Sequence, residues 1–468
     1  MKHAGIRNRN LRFGVVASCL VGLGVAGPAG ASSTSLASEQ QVDSVIGAPI
    51  AWQSGARGVG VDVALVDTGV TPVQGLSANG KIAYGPDLST DSQNPNLTKL
   101  DGYGHGTAMA GIIAGNDGTA DGYSGVAPDA RIVSVKVAAA SGASDVSQII
   151  AGIDWVTAHA HTDGLNIRVL NLSLGTDSVQ SYQFDPLAQA AENAWRHGIV
   201  VVVSVGNDGT ATHSVADPAI DPYLLAVGAA DNVGTVDTAD DTVASFSQRG
   251  TGIRHADLVA PGTYVYGLLA PKSALAQAYP NAVINGRFLR GSGTSQAAAM
   301  TSGAVADLLS ARPNLTPDEV KSVLMGSAVR IASPNPNFVG AGELQLPPAL
   351  TATPASMPHA WAVSTGSGSL EQSRGSNHIS LGGQTLTGDK DIFGNAWNGA
   401  AMAAAETNGT AWAAGTYNGA QWSGAQWSGA QWSGAQWSGA QWSGAQWSGA
   451  QWSGAQWSGA EWLGCQWG

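Results

Sequence analysis

The sequence predicts an α/β protein built on a doubly wound, mostly parallel sheet, followed by a linker and a repetitive C-terminal tail. Three observations point to it. Short apolar runs of strand length recur along the first three quarters of the chain. Stretches with helical apolar spacing and capping residues lie between them. The strand ends carry polar residues, which an open α/β sheet presents along its C-terminal edge.

Residues 61–67 read VDVALVD, a buried strand ending on Asp67 before Thr68-Gly69. Asp101-Gly102-Tyr103-Gly104-His105-Gly106-Thr107 leads into a small-residue apolar run at 108–114, a buried helix with His105 at its start. Residues 130–137 form a strand, and Ser144 caps a helix whose apolar positions Val146, Ile149, Ile150, Ile153 and Val156 keep helical spacing. Residues 167–172 form another strand. Asp185-Pro186 opens a helix that ends before Gly198, with cap, first-turn proline and terminal glycine all present. Strands follow at 199–203 and 224–227.

Gly291-Ser292-Gly293-Thr294-Ser295 then delivers a serine into an Ala-rich helix at 296–310, and Thr316-Pro317-Asp318-Glu319 is a capping box for a helix to about residue 327. The globular part, 32–346, gives way to a Ser/Gly/Thr/Pro-rich stretch read as a linker, 347–390. Residues 391–468 form the tail. From Gln421 the unit Ala-Gln-Trp-Ser-Gly recurs every five residues, with ten tryptophans from Trp422 to Trp467, and its register extends loosely back through Tyr417, Trp412 and Trp397. A period of five fits neither an amphipathic helix nor a one-faced strand.

Residues 1–31 read as a secretory signal: Lys2, Arg7, Arg9 and Arg12, then an apolar stretch, then Ala29-Gly30-Ala31. The apolar run is short for a membrane anchor, so no membrane span is expected after cleavage. Loss of the four basic residues takes the formal net charge from −12 to −16, which argues against nucleic acid as a partner. Cys19 leaves with the signal and Cys465 remains, so no internal disulfide is expected.

A nucleophilic serine needs a base for its proton and donors for the oxyanion that attack creates. Asp67, His105 and Ser295 stand in the chain order recorded for subtilisin. With Val66-Asp67-Thr68-Gly69, Gly104-His105-Gly106-Thr107 and Gly293-Thr294-Ser295, the chain resembles the subtilisin-like serine protease family (peptidase S8) over roughly residues 42–346. Gly125-Val126-Ala127-Pro128, Asn171-Leu172-Ser173-Leu174-Gly175, Gly206-Asn207, Ala244-Ser245-Phe246-Ser247 and Leu258-Val259-Ala260-Pro261-Gly262 resemble the segments linking those motifs.

The resemblance implies the three-layer subtilisin-like fold and hydrolysis of peptide bonds in protein or peptide substrates. Ser295 is the implied nucleophile, His105 the general base and acid, Asp67 its orienting carboxylate and Asn207 the oxyanion donor. It also implies that Ser173, Leu174 and Gly175 pair with substrate and that Ser204, Val205 and Gly206 form the opposite wall of the first specificity pocket. Asp208 at the rim would favour a basic side chain, against the plainer reading of a solvated loop acid.

Two positions depart from the family pattern: Ala299 stands where a proline is usual, and Ala108 where a second histidine is frequent. About thirty residues separate Ala31 from the first core strand, less than many secreted members devote to a folding propeptide. No cofactor is required for this chemistry. Calcium is the structural ion the family implies, and Asn116-Asp117-Gly118 with Asp121, or Asp237, Asp240 and Asp241, offer oxygen ligands, against the reading of solvated acidic loops.

The resulting expectation is a secreted, extracellular serine endopeptidase. The alternative is an inactive protease-fold surface protein that uses the Trp-rich repeat for adhesion to cell wall or polysaccharide; the four intact functional residue types favour the enzyme. A related acid-stable family with glutamate in place of histidine is disfavoured by Gly104-His105-Gly106-Thr107.

Overall fold

The computed structural model describes residues 43–119, 121–210, 214–250, 254–333, 335–356, 361–381, 384–413 and 415–421. The signal segment, Cys465 and the regular repeat from Trp422 lie outside the described residues.

A short helix α1 (Ala48–Gln53) precedes the first strand, β1 (Asp62–Asp67), whose residues are all buried. There follow β2 (Ile82–Asp87), α2 (His105–Ala114), β3 (Arg131–Lys136), α3 (Val146–His159), β4 (Ile167–Leu172), α4 (Pro186–Arg196), β5 (Val200–Ser204), β6 (Leu225–Asp231), β7 (Thr242–Val243) and β8 (Leu258–Pro261). These strands form one sheet in the order β2-β3-β1-β4-β5-β6-β7, with β8 also on β6; only β7 runs antiparallel. The all-apolar runs reflect burial on both faces, as parallel sheets require. A small sheet of β9 (Val265–Leu268), β10 (Val283–Ile284) and β11 (Phe288–Gly291) follows, with α5 (Ala274–Ala278) between its first two strands. Next come α6 (Thr294–Ala311) and α7 (Pro317–Ser327).

Chain order reverses beside β1: β2 and β3 lie on one side of it, β4, β5 and β6 on the other. Ligands of open α/β sheets bind at such a switch, outside the carboxyl ends of the strands. Register fixes what meets there. Leu65 faces Asn171, and Asn171 faces Val202. Two residues further on, Asp67, Ser173 and Ser204 therefore leave three adjacent strands at the same edge.

Local chemistry sets the helix starts. Asp185 caps α4 through Leu187 N at 2.8 Å, and Thr316 and Glu319 close a reciprocal capping box on α7. For α3 the cap is Asp145, not Ser144: Asp145 accepts from Ser147 N at 3.0 Å while Gln148 accepts from its backbone N–H at 2.8 Å. Ser144 Oγ donates instead to the Val137 carbonyl.

The stretch 347–390, expected as a linker, packs onto the α/β body. It supplies α8 (Leu346–Thr351) and α9 (Leu370–Arg374), and the chain continues into α10 (Gly399–Thr407). Arg374 is fully buried, with Nε 2.6 Å from Asp145 Oδ2 on the α3 cap. The small-residue composition that suggests a linker here serves close contact: a Cβ at Gly375 would lie 2.2 Å from Asp177 Oδ1. The early members of the repeat register are also packed. Tyr417 is buried, its ring centroid 5.4 Å from that of Trp412, and Trp412 Nε1 donates to the Ala151 carbonyl of α3 at 2.8 Å.

This docked extension buries a carboxyl pair. Glu406 of α10 lies beside Asp154 of α3, and Tyr417 Oη donates to Asp154 Oδ2 at 2.7 Å. Burial pushes Asp154 up to about 7, and burial together with Asp154 holds Glu406 well above the usual carboxylate range. The folded state thus binds protons more tightly than the unfolded chain, so this contribution to stability is present at acidic pH and is lost as pH rises through about 7. Thermal unfolding of the wild type is expected to shift downward between about pH 4 and 7.5, and Glu406→Gln to flatten that dependence; an unchanged slope in the variant contradicts the assignment.

Candidate active site

Asp67 ends β1, and His105 begins α2. The imidazole Nδ1 lies 2.9 Å from both Asp67 Oδ1 and Oδ2, and both residues are fully buried. Asp67 Oδ1 also accepts from Thr68 N at 2.7 Å. A carboxylate on Nδ1 fixes the imidazole orientation and favours the tautomer that carries its proton on that nitrogen, leaving Nε2 as the basic end.

Two glycines make this approach possible. Gly104, the residue before α2, has φ 110°, and a Cβ there would lie 2.6 Å from Ser273 Oγ. A Cβ at Gly106 would lie 2.2 Å from the Gly69 carbonyl oxygen. The spacing Gly-His-Gly therefore follows from the close passage of the two chains on either side of His105.

Asp101, to which its sequence motif assigns no role, organises the turn. Its Oδ1 accepts from Gly104 N (2.6 Å), Thr68 Oγ1 (2.8 Å) and Tyr103 N (3.1 Å), and its Oδ2 from Thr107 N (2.8 Å). Burial pushes its carboxyl up while those hydrogen bonds pull the other way. It ties the residue after Asp67 to the residue before His105.

Ser295 is the second residue of α6, where backbone N–H groups precede the intrahelical ladder. Its Oγ donates to the Ser173 carbonyl at 3.2 Å, and Ser173 Oγ donates to the Ser295 carbonyl at 3.1 Å. Helices α2 and α6 meet where a Cβ at Gly303 would lie 3.1 Å from the Ile113 carbonyl, eight residues past Ser295 and His105 respectively. Ala299 is fully buried within an unbroken α6, so the helix start forms without the proline usual at that position. Ala108 packs on β9, within 2.7 Å of where a Cβ at Gly267 would stand.

Asn207 follows β5. Its Oδ1 accepts from Thr294 N and Thr294 Oγ1, both at 2.9 Å. With the oxygen end engaged, the amide Nδ2 is the end left to donate, which fixes the orientation of the group beside Ser295. Thr294 thereby orients Asn207, a relation the sequence motif does not expose.

Ser173, Leu174, Ser204, Val205 and Gly206 are buried and Gly175 half-buried, on the two segments that leave β4 and β5. Ala216 N donates to the Val205 carbonyl and Gln248 N to that of Gly206, both at 2.9 Å. The open cleft beyond them, about 710 Å³, is lined by their successors Thr176 and Asp208 rather than by the six themselves.

In the two acidic loops the oxygen ligands expected for calcium are engaged by protein donors. Asp117 is ion-paired with Arg287 and accepts from Tyr123 N, and Asn116 Oδ1 accepts from Gly118 N. Asp237 and Asp240 accept from Ala239 N and Thr235 Oγ1, and Asp241 from Asn232. Among the described residues, no group of three or more His, Cys, Asp or Glu side chains is arranged to hold a metal.

This geometry has relatives. A profile of the subtilase family matches residues 58–359. Serine protease AprX of Bacillus subtilis is 36% identical over 292 residues, covering 61% of this chain and 65% of its own length. Subtilisin Savinase of Lederbergia lenta is 33% identical over 288 residues, covering 62% of this chain and 90% of its own. The crystal structure of fervidolysin from Fervidobacterium pennivorans, a keratinolytic enzyme related to subtilisin, aligns with a TM-score of 0.55 at 28% identity, covering 67% of this chain and 46% of that one. The chain thus spans just under two thirds of AprX and under half of fervidolysin.

Because four donors converge on Asp101, Asp101→Ala strands several buried N–H and O–H groups, each costing about 1–3 kcal/mol. Thermal or urea unfolding is expected to register a loss of at least about 3 kcal/mol. A loss below about 0.5 kcal/mol, the range of an ordinary surface change, contradicts the role given to Asp101.

Proposed function

The chain belongs to the subtilase family, and from that premise we propose that it is a secreted serine endopeptidase with Asp67, His105 and Ser295 as its triad and Asn207 as oxyanion donor. The observation that carries this reading is the buried contact of His105 Nδ1 with both oxygens of Asp67, at the sheet edge from which the segment bonded to Ser295 also departs. Ser295 Oγ attacks the scissile carbonyl as His105 Nε2 takes its proton. The tetrahedral oxyanion is held by Asn207 Nδ2–H and the backbone N–H of Ser295. His105 then returns the proton to the leaving amine, and water repeats the sequence on the acyl-enzyme. Asp67 stays ionised and stabilises the imidazolium. These steps draw only on the chain's own groups and need no cofactor.

Residues 1–31 direct export, and no helix among the described residues is long and apolar enough to cross a membrane. The Trp-rich repeat is proposed to contact cell-wall polysaccharide, through indole faces that stack on sugar rings. Removing residues 422–468 is expected to abolish retention on cell-wall polysaccharide; undiminished retention removes that role.

The protease reading is tested by fluorophosphonate labelling and casein cleavage. The native protein is expected to label and to cleave, and Ser295→Ala to do neither; a folded native protein that takes no label overturns the reading. Asn207→Ala is expected to lower kcat by about 10²–10³, the loss known from removing this donor in subtilisin itself. Asp67→Asn is expected to lower kcat by about 10⁴, as in other Ser-His-Asp proteases. In both variants a KM near the native value marks a loss confined to the transition state.

A further inference from the structure

The cleft of about 710 Å³ has a wall that the matched family segment does not supply. Ser376 and Asn377 line it, beyond residue 359 where the family match ends. We propose that this C-terminal segment completes the specificity pocket and that the pocket selects a lysine or arginine side chain on the acyl side of the scissile bond. The proposal rests on the protease reading above.

The segment is fixed firmly enough to act as a wall. Arg374 donates to both oxygens of Asp145, at 2.6 and 3.2 Å, and to the Gly388 carbonyl at 2.8 Å. Thr176 Oγ1 donates to the Ser373 carbonyl at 2.6 Å, and Ser373 Oγ to Asp185 Oδ1 at 2.8 Å. From that anchor, Ser376 presents two donors to Asp177: its N–H at 2.7 Å to Oδ1 and its Oγ at 2.6 Å to Oδ2. Asp177 is exposed, and so is held in one place while it still faces solvent. A carboxylate has about four acceptor sites, so two remain for a ligand.

The chemistry of the cleft calls for a cation with N–H donors. Asp208 and Asp177 both line the cleft, near enough that the two carboxylates interact, and burial followed by Asp177 pushes Asp208 up. No lysine, arginine or histidine lines the cleft among the described residues. Gln248 gives an independent pointer. It is 6% exposed, its Nε2 donates to the Ser214 carbonyl at 2.6 Å, and its Oε1 has no hydrogen-bond partner among the described residues. That oxygen lies against Gly206, where an added Cβ would come within 2.1 Å of it. A buried acceptor without a donor is costly unless a ligand completes it. Val215, Ala216 and Ile220 supply an apolar wall along which the methylene stem of a long cationic side chain can lie.

The test uses the full-length protein and two fluorogenic peptides, identical except for lysine or its neutral isostere norleucine before the scissile bond. The wild type is expected to prefer lysine in kcat/KM by about tenfold or more, a preference that high salt weakens because both carboxylates are exposed. Asp177→Asn is expected to bring the lysine:norleucine ratio close to one, and Ser376→Ala to lower it part of the way by releasing Asp177. Salt dependence of the wild-type ratio is read without any variant, so misfolding of a variant does not leave the outcome open. Efficient cleavage of both peptides at a ratio near one, insensitive to salt, overturns the pocket assignment while leaving the protease intact. Cleavage of neither peptide, with no fluorophosphonate label, overturns the protease reading and the pocket with it.

Discussion

The contact between Asp67 and His105 is the constraint on which the rest of the site depends. A carboxylate and an imidazole, both withdrawn from water, are tolerable together only if their hydrogen bonds are satisfied. Asp67 Oδ1 is therefore tied to Thr68 N, and Thr68 Oγ1 to the buried Asp101, which in turn holds the turn that leads into α2. The same requirement explains the glycines around His105: any side chain at 106 would meet the Gly69 carbonyl. Order passes from a strand end to a helix start through four hydrogen-bonded residues, and the imidazole has one orientation left.

Sheet topology turns that local order into a site. Because the chain reverses its direction of growth between β1 and β4, their carboxyl ends open to a crevice instead of to a packed neighbour. Register brings Asp67, Ser173 and Ser204 level, and Ser173 and Ser295 exchange hydrogen bonds through each other's carbonyls. The C-terminal extension is tied into the same architecture. Arg374 neutralises Asp145 at the cap of α3, Glu406 and Asp154 share a buried contact, and Ser376 grips Asp177 where β4 runs out into the cleft. The extension that docks on the α/β body thus also lines the cleft.

Much of this was legible in the residues. Apolar strand runs and caps such as Asp185-Pro186 and Thr316-x-x-Glu319 are local signals, and the structure keeps most of them to within a residue or two, although the strand expected at 224–227 runs on to Asp231. The three short motifs locate Asp67, His105 and Ser295, and close chain passage demands the glycines that flank His105. What escaped was long-range. Ser144 and Asp145 are both competent caps; Gln148 closes its box on Asp145, and the buried Arg374, 229 residues away, pairs with that carboxylate. The stretch 347–390 has the composition of a linker because small residues suit tight contact as well as flexibility. Thr294 as the partner of Asn207, Asp101 as the keystone of the histidine turn and Gln248 as a cleft acceptor each depend on pairings that no sequence period encodes.

The central claim is that Asp67 orients His105 through a buried Nδ1–H hydrogen bond. Proton NMR of the folded protein tests it most directly. The predicted result is one slowly exchanging imidazole N–H resonance, far downfield of the amides, that disappears in Asp67→Asn while Ser295→Ala retains it. A well-dispersed spectrum of the native protein without that resonance, or one in which it survives Asp67→Asn, contradicts the account.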